Sequence, residues 1–319
     1  MRKLNANASI SVEGEILTLD AIRDFRRDRV KTVTLRSVAA AAGFVLLLSG
    51  AARLNAQKSS GPARGTLIVD GGGGTKDVRA KFVELAGPNA RVVAFPTGAS
   101  SIRFGDKNSI LNPDSPRDSE EWREYAAYLK AWLGVADVTI VHTRDRTIAS
   151  SEEFVRPLKT ATGVFLAAGN SGRYADAYLN TRTQQELAAL LARGGVIFGS
   201  SAGAIIQGSF LVRGRPDKPL LMPEGRTTGF GFLQNVAINP HLTSARRDAE
   251  LVNVVDAHPN ILGLGIDDDA ALLVQGNTFE VIGAGRAAIY DNVRRDGAWY
   301  YWLKPGERFD LAKWEKVAR

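Results

Sequence analysis

From Gly65 onward, short apolar runs alternate with longer stretches whose apolar residues recur every three or four positions. Gly65–Asp70, Arg91–Phe95, Val138–Val141, Gly163–Ala167 and Gly195–Gly199 are near-continuous apolar runs of strand length, and several run directly into Gly, Pro or Asn. Between them, the spacing predicts a helix near Val78–Ala86 and another over Glu120–Leu133, where Trp122, Tyr125, Ala126, Leu129, Trp132 and Leu133 share one face. It also predicts one long helix over Tyr174–Ala192 and a short one over Ala204–Gln207. Apolar strands separated by helices predict an α/β domain, a doubly wound, mostly parallel sheet with helices on both faces. In such sheets ligands sit beyond the carboxyl ends of the strands. After Val236 come further short runs. Leu262–Ile266 leads into Asp267-Asp268-Asp269, and Ala271–Val274 with Phe279–Ile282 predicts a hairpin turning at Gly276-Asn277. These form a small C-terminal β extension.

The first 64 residues read differently. Arg26, Arg27, Arg29, Lys31 and Arg36 precede an apolar run from Val38 to Leu48, followed by small residues up to Ala56. This is the pattern of a secretory signal peptide. Cleavage after Ala56 leaves roughly 260 residues exported to the periplasm or beyond, with no membrane span in the mature chain. The basic stretch begins late, so Val30 is an alternative start to Met1. If the leader is not a signal, the protein is cytoplasmic. Residues 57–64 are rich in Ser, Gly and Pro and read as a linker to a domain over 65–319. The net charge of +7 belongs to this leader: residues 1–64 carry 11 Lys and Arg against 5 Asp and Glu, while the rest carries 30 against 29. A near-neutral body gives no basic surface for nucleic acid. The chain has no cysteine, which removes disulfides, thiolate metal sites and a cysteine nucleophile.

The candidate chemistry centres on Gly199-Ser200-Ser201-Ala202-Gly203-Ala204, a G-x-S-x-G segment between a buried strand and a helix. A tight turn there exposes the Ser201 hydroxyl, and the Ala202 N–H can face a developing oxyanion. Ser200 could instead make this a plain helix cap. Serine needs a base, and the chain has three histidines. His241 leads because it ends an apolar strand; His142 also ends a strand, and His258 precedes Pro259 in a loop. Asp267-Asp268-Asp269 could supply the orienting carboxylate, a solvated turn or a weak cation site. No H-E-x-x-H and no histidine pair at ligand spacing occurs, so neither metal nor cofactor enters the reading. The Phe210–Phe232 stretch, rich in Pro and Gly, is either a lid over the crevice or a surface insertion, and Asn108–Asp118 is a similar loop.

Taken together, these segments resemble the cyanophycinase and dipeptidase E family of serine peptidases. The similarity runs in order through Gly65–Gly73, Ala94–Ser100, Phe165–Asn170, Gly199–Ala204, His241 in its strand-end setting and Leu264–Ala271. The resemblance implies a class I glutamine-amidotransferase-like fold and a triad of Ser201, His241 and Asp268. Asp268 stands where the family usually has Glu, and Asp267 is a second candidate. It also points to Gly72, Gly73 and the Ala202 N–H as the oxyanion region. The order Ser, His, acid separates the chain from α/β-hydrolases.

The departures from the family concern substrate. Asn239 and Pro240 replace an Asp-Gln pair, and Gly169-Asn170-Ser171 replaces Gly-Asp-Gln. Of a spaced arginine series only Arg247 is in register; Ala245 and Glu250 take two other places. Asn170, Asn239 and Arg247 are thus the candidate substrate-binding residues. The expected partner is a peptide or isopeptide other than cyanophycin, with homodimerisation left open. An esterase or amidase using the same serine, or a binding protein that kept the fold and lost the chemistry, are the rival readings.

Overall fold

A computed structural model describes residues 59–215, 217 and 220–318, all within a compact unit spanning Gln57–Arg319. The signal-peptide reading, cleavage after Ala56 and the start at Val30 lie outside the described residues. In chain order the first half comprises β1 (Thr66–Asp70), α1 (Lys76–Ala86), β2 (Val92–Phe95) and a small hairpin of β3 (Ile102–Phe104) and β4 (Ser109–Leu111). Then come α2 (Glu120–Leu133), β5 (Val138–Ile140), α3 (Arg146–Ala149), α4 (Glu152–Val155) and β6 (Gly163–Leu166). They are followed by α5 (Ser171–Tyr178), α6 (Arg182–Ala192), β7 (Val196–Ser200) and α7 (Ala202–Ile205). The strands β5, β2, β6, β7 and β1 lie side by side and parallel.

Although each strand reads as a continuous apolar run, its residues divide between two cores by the two-residue period of the pleat. Leu67, Val69, Val93, Phe95, Val164, Leu166 and Ile197 face α5 and α6. Ile68, Ala94, Phe165 and Phe198 face Phe82 of α1 and Trp122, Tyr125 and Leu129 of α2. Helices therefore cover both faces, and the fold is the expected doubly wound α/β sheet.

The second half is β8 (Gly208–Phe210), β9 (Leu233–Pro240), α8 (Asp248–Ala257), β10 (Leu262–Ile266), β11 (Ala270–Gln275), β12 (Thr278–Gly283), β13 (Ala287–Tyr290), β14 (Tyr301–Leu303), β15 (Arg308–Asp310) and β16 (Glu315–Lys316). The C-terminal β structure is built into two sheets. β11 pairs antiparallel with β1 and carries β12, β15 and β16, extending the main sheet to nine strands. A second sheet, ordered β14-β13-β10-β9-β8, packs Val236, Ile238, Leu262, Leu264 and Ile266 into the core that holds Leu67 and Ile197. The predicted hairpin of β11 and β12 forms, with Gly276 at φ 57° in the connection. Among the described residues no helix is long and apolar enough to cross a membrane.

Two expectations are corrected. The long helix over Tyr174–Ala192 is two helices. Leu179 leaves helical geometry, Asn180 takes φ 58°, and Thr181 is the extended N-cap of the next helix. The break is stabilised by side chains: Thr181 Oγ1 donates to the Tyr178 carbonyl, and Gln184 Oε1 accepts from the Asn180 N–H. Apolar spacing on both sides hides it, because both helices bury residues in the same core. The linker is also shorter than expected. Ser59 is buried and hydrogen-bonded to the Asn235 carbonyl and Trp314 Nε1, and Ser60 pairs with Gln234.

Phe198 is fully buried among Phe82, Phe165 and Trp132, with ring centroids 5.5, 5.0 and 6.5 Å away. Phe198→Ala is expected to lower the unfolding free energy by about 3–5 kcal/mol. Urea denaturation checks this; a loss under about 1 kcal/mol would contradict the packing described.

Candidate active site

β7 delivers the serine. Its last residue, Ser200, pairs with Asp70 of β1, and the next, Ser201, turns to φ 54° before α7 begins. A non-glycine residue held there costs about 1–3 kcal/mol, and Ser200 is a strand residue rather than a helix cap. The two glycines of the motif are steric requirements. A Cβ on Gly199 would lie 2.1 Å from the Gly203 carbonyl, and one on Gly203 would lie 2.0 Å from that of Leu166. Both distances are impossible, so the motif's spacing follows from how tightly α7 lies on the sheet.

The second sheet delivers the other two groups. β9 and β10 run parallel with Pro240 opposite Ile266, so His241 and the three aspartates emerge at the same level. His241 Nε2 lies 2.9 Å from Ser201 Oγ, and His241 Nδ1 lies 2.5 Å from Asp268 Oδ1. With Nδ1–H donating to the carboxylate, Nε2 is left to accept the serine hydroxyl. Burial opposes ionisation of Asp268. Hydrogen bonds from Ser244 and His241, and the charge of the imidazole, outweigh it and hold the carboxyl below its usual value. Asp267 points elsewhere: its Oδ1 accepts from Thr243 Oγ1 at 2.6 Å and its Oδ2 faces Arg286. His142 is tied to Thr97 and Asp114, and the ring of His258 packs at a tilt against Phe210.

The turn after β1 touches all three residues through its backbone. Asp70 O accepts from Ser201 N at 3.1 Å, Gly71 O accepts from His241 N at 3.0 Å, and Gly73 N donates to Asp268 O at 2.7 Å. This corrects the oxyanion expectation for Gly72 and Gly73. The Gly72 N–H donates to Asp70 Oδ2, and the Gly73 N–H is spent on Asp268. What the site needs from Gly72 is space: it sits at φ 133°, and a Cβ there would lie 2.0 Å from His241 Cε1. The Ala202 N–H, by contrast, has no acceptor among the described residues. β6 pairs Leu166 with Gly199 of β7, and the turn that follows it, Ala167–Asn170, leaves the sheet at the same end as the serine turn. Gly169 is exposed, and its N–H is likewise without an acceptor among the described residues.

Two of the candidate substrate contacts are corrected as well. Asn239 is fully buried; its amide points toward α8 and donates to Glu250 Oε2 at 2.9 Å and to the Arg247 carbonyl. Glu250 is also paired with Arg213. Asn170 caps α5 by accepting from the Gly172 N–H and donates to the Arg215 carbonyl, so its amide holds a turn together. Arg247 is half-buried and donates to the Pro240 carbonyl beside His241. Burial and then the nearby Arg213 lower its pKa, against the pull of Glu250 and Asp268. The Phe210–Phe232 segment is anchored at its base, where Ser171 Oγ donates to the Arg213 carbonyl and Leu211 N to that of Thr227. The Asn108–Asp118 stretch holds β4, and its Asp114 accepts from Arg144.

Asp70 was not singled out by the sequence reading. Its carboxylate is fully buried and accepts from Ser200 Oγ at 2.6 Å, Gly72 N at 3.0 Å and Gly74 N at 3.2 Å. Burial pushes its pKa up to about 6, against the hydrogen bonds from Ser200, Gly74 and Gly72 and the charge of His241. Only a carboxyl at the end of an otherwise apolar strand marks it in the sequence.

Three comparisons bear on this site. The model of peptidase family S51 matches residues 113–282, a span that contains Ser201, His241 and Asp268. A cyanophycinase of Synechococcus elongatus is 31% identical over 163 residues, which is 50% of this chain and 51% of that protein. A cyanophycinase of Nostoc sp. is 30% identical over 167 residues, 50% of this chain and 55% of that protein. The chain thus spans about half the length of the curated relatives it matches. A crystal structure of a peptidase from an acI-B1 Actinobacterium shares the fold, with a TM-score of 0.57 over 78% of this chain and 98% of that one, at 22% identity.

In the native state Asp70 keeps its proton up to about pH 6, whereas an unfolded aspartate loses it near 3.8. Between those values the native state binds more protons, so stability falls as pH rises, by about 3 kcal/mol in all from this group. Urea denaturation of wild type and Asp70→Asn at pH 4 and pH 7 checks this. The wild type is expected to lose more stability between the two pH values than the variant, and equal losses would contradict the assignment.

Proposed function

Because the chain belongs to peptidase family S51, we propose that it is a serine-type peptidase that cleaves small or β-linked acidic peptides through an acyl-enzyme. The observation that carries this reading is the unbroken hydrogen-bond line from Ser201 Oγ through the imidazole of His241 to Asp268. Ser201 Oγ attacks the scissile carbonyl carbon while His241 Nε2 takes its proton. The negative charge that develops on the carbonyl oxygen is met by the Ala202 N–H, with the unspent Gly169 N–H as the second donor. Asp268 keeps Nδ1 protonated and stabilises the imidazolium. As the C–N bond breaks, the imidazolium gives its proton to the leaving amine. Water then transfers a proton to Nε2 and attacks the ester; Ser201 Oγ leaves with that proton, and the acyl group departs as a carboxylic acid.

Cyanophycin is disfavoured as the substrate. Asn239, Asn170 and Glu250 stand at positions where the family resemblance leads one to expect substrate contacts, and the first two are committed to internal hydrogen bonds while Glu250 is paired with Arg213. A dipeptidase or exopeptidase acting on another acidic or isopeptide substrate accords better with those residues. The basic and apolar leader supports export, which the intact mass of the mature protein tests.

Ser201→Ala is expected to abolish turnover of a panel of α- and β-aspartyl dipeptides and labelling by a fluorophosphonate. Unchanged turnover would eliminate the proposal. Asp268→Asn is expected to lower kcat by about 10³–10⁴-fold, by leaving the imidazole in the wrong tautomer. Gly72→Ala, whose Cβ displaces the imidazole, is expected to slow fluorophosphonate labelling at least about tenfold. A labelling rate equal to wild type would show that the imidazole does not occupy that space.

A further inference from the structure

Off the carboxyl end of β6 lies a cavity of about 660 Å³. It is bounded by the turn after β6 (Ala167–Asn170), the segment after β2 (Ala99–Arg103) and the inner face of α2. Its volume is in the range of small-ligand sites, about 300–1,000 Å³. Two features join it to the serine. The Ala167–Asn170 turn that lines it follows directly on Leu166, against whose carbonyl Gly203 of the serine turn packs: a Cβ on that glycine would be 2.0 Å away. Trp132, which also lines it, lies directly beneath Gly74: a Cβ on that glycine would be 2.8 Å from the Trp132 ring. Gly74 is in turn two residues from Gly72, which faces the imidazole. A substrate carbonyl held at Ser201 therefore has this cavity as a neighbour.

The walls are aromatic. Tyr125, Tyr128, Trp132 and Phe165 line the cavity. Tyr128 stacks with Tyr125, and Trp132 packs on Phe165, so the rings are held by one another. The charged groups are two arginines and one aspartate. Asp217 is exposed and faces Arg215 at 3.8 Å. Arg173 donates to the Gly98 carbonyl, and the exposed Arg103 makes no hydrogen bond or ion pair among the described residues. Aromatic walls together with two guanidinium groups against one carboxylate match a group that is apolar at one end and anionic at the other.

The geometry points to this cavity as the site that selects the C-terminal residue of the substrate, an aromatic or large aliphatic residue whose free carboxylate meets Arg103 and Arg173. The inference rests on the peptidase reading given above and adds the substrate class. The acidic residue supplies the acyl group, and the apolar residue leaves as the free amino acid. A pocket of this kind discriminates by about 10–200-fold per methylene-sized difference.

The test uses the mature protein and β-aspartyl dipeptides ending in Phe, Leu, Gly or Arg, together with the Phe peptide as its C-terminal amide. Expected are a kcat/KM for the Phe peptide at least tenfold above those for Gly and Arg, and a fall of at least fivefold on amidation. Tyr128→Ala is expected to lower the Phe-to-Gly ratio at least fivefold, and Arg103→Ala to shrink the acid-to-amide ratio. A readout independent of turnover is calorimetric binding to the Ser201→Ala protein, in which the Phe peptide is expected to bind at least tenfold more tightly than the Gly peptide. Equal binding and equal turnover across the panel, or a Tyr128→Ala loss that is the same for every peptide, would overturn the inference. Such a result with Ser201 still labelled by a fluorophosphonate leaves the peptidase reading standing, whereas failure of both labelling and turnover sinks that reading itself.

Discussion

The turn that follows the first strand is the joint on which the site depends. Asp70, Gly71 and Gly73 each spend a backbone hydrogen bond on a different member of the Ser201, His241 and Asp268 set. The Asp70 side chain ties the same turn to Ser200, the neighbour of Ser201. Three residues thus hold in relation three side chains that come from three separate stretches of chain. Backbone bonds of this kind do not depend on side-chain rotamers, which is how a line of 2.9 and 2.5 Å hydrogen bonds is held in register.

Much of the fold was legible because the strands bury both faces and the helices only one. Glu120–Leu133 was read to the residue, since its aromatic stripe is long and its acidic start and Gly134 end are both present. The break at Asn180 was not legible, because the apolar spacing continues across it and only local hydrogen bonds from Thr181 and Gln184 decide it. The second sheet was hidden for a related reason. Its strands look like those of the first, and nothing in a strand's own sequence says which sheet it joins.

The site was legible where steric need forces a residue type and illegible where a polar group is reused. Ser201 between two glycines follows from a turn that admits no side chain at 199 or 203. His241 at a strand end and Asp268 at the neighbouring strand end follow from the parallel pairing of β9 and β10. Asn239 and Asn170 could not be judged from their positions, since a buried amide that caps a helix and an exposed one that holds a ligand are the same letter. Gly72 and Gly73 were read as donors to an oxyanion when their N–H groups hold the turn and the acid segment instead.

Ser201 directly follows a strand of the nine-stranded sheet, whereas His241 directly follows a strand of the five-stranded one. The hydrogen-bond line from Ser201 to Asp268 therefore crosses a seam between two layers that meet through Val69, Ile197, Ile238 and Leu264. Neither layer alone holds a complete set of reacting groups. Alignment of the three side chains is a property of the assembled interior, so a chain with all its secondary structure but a slackened seam would lose that alignment before it was unfolded.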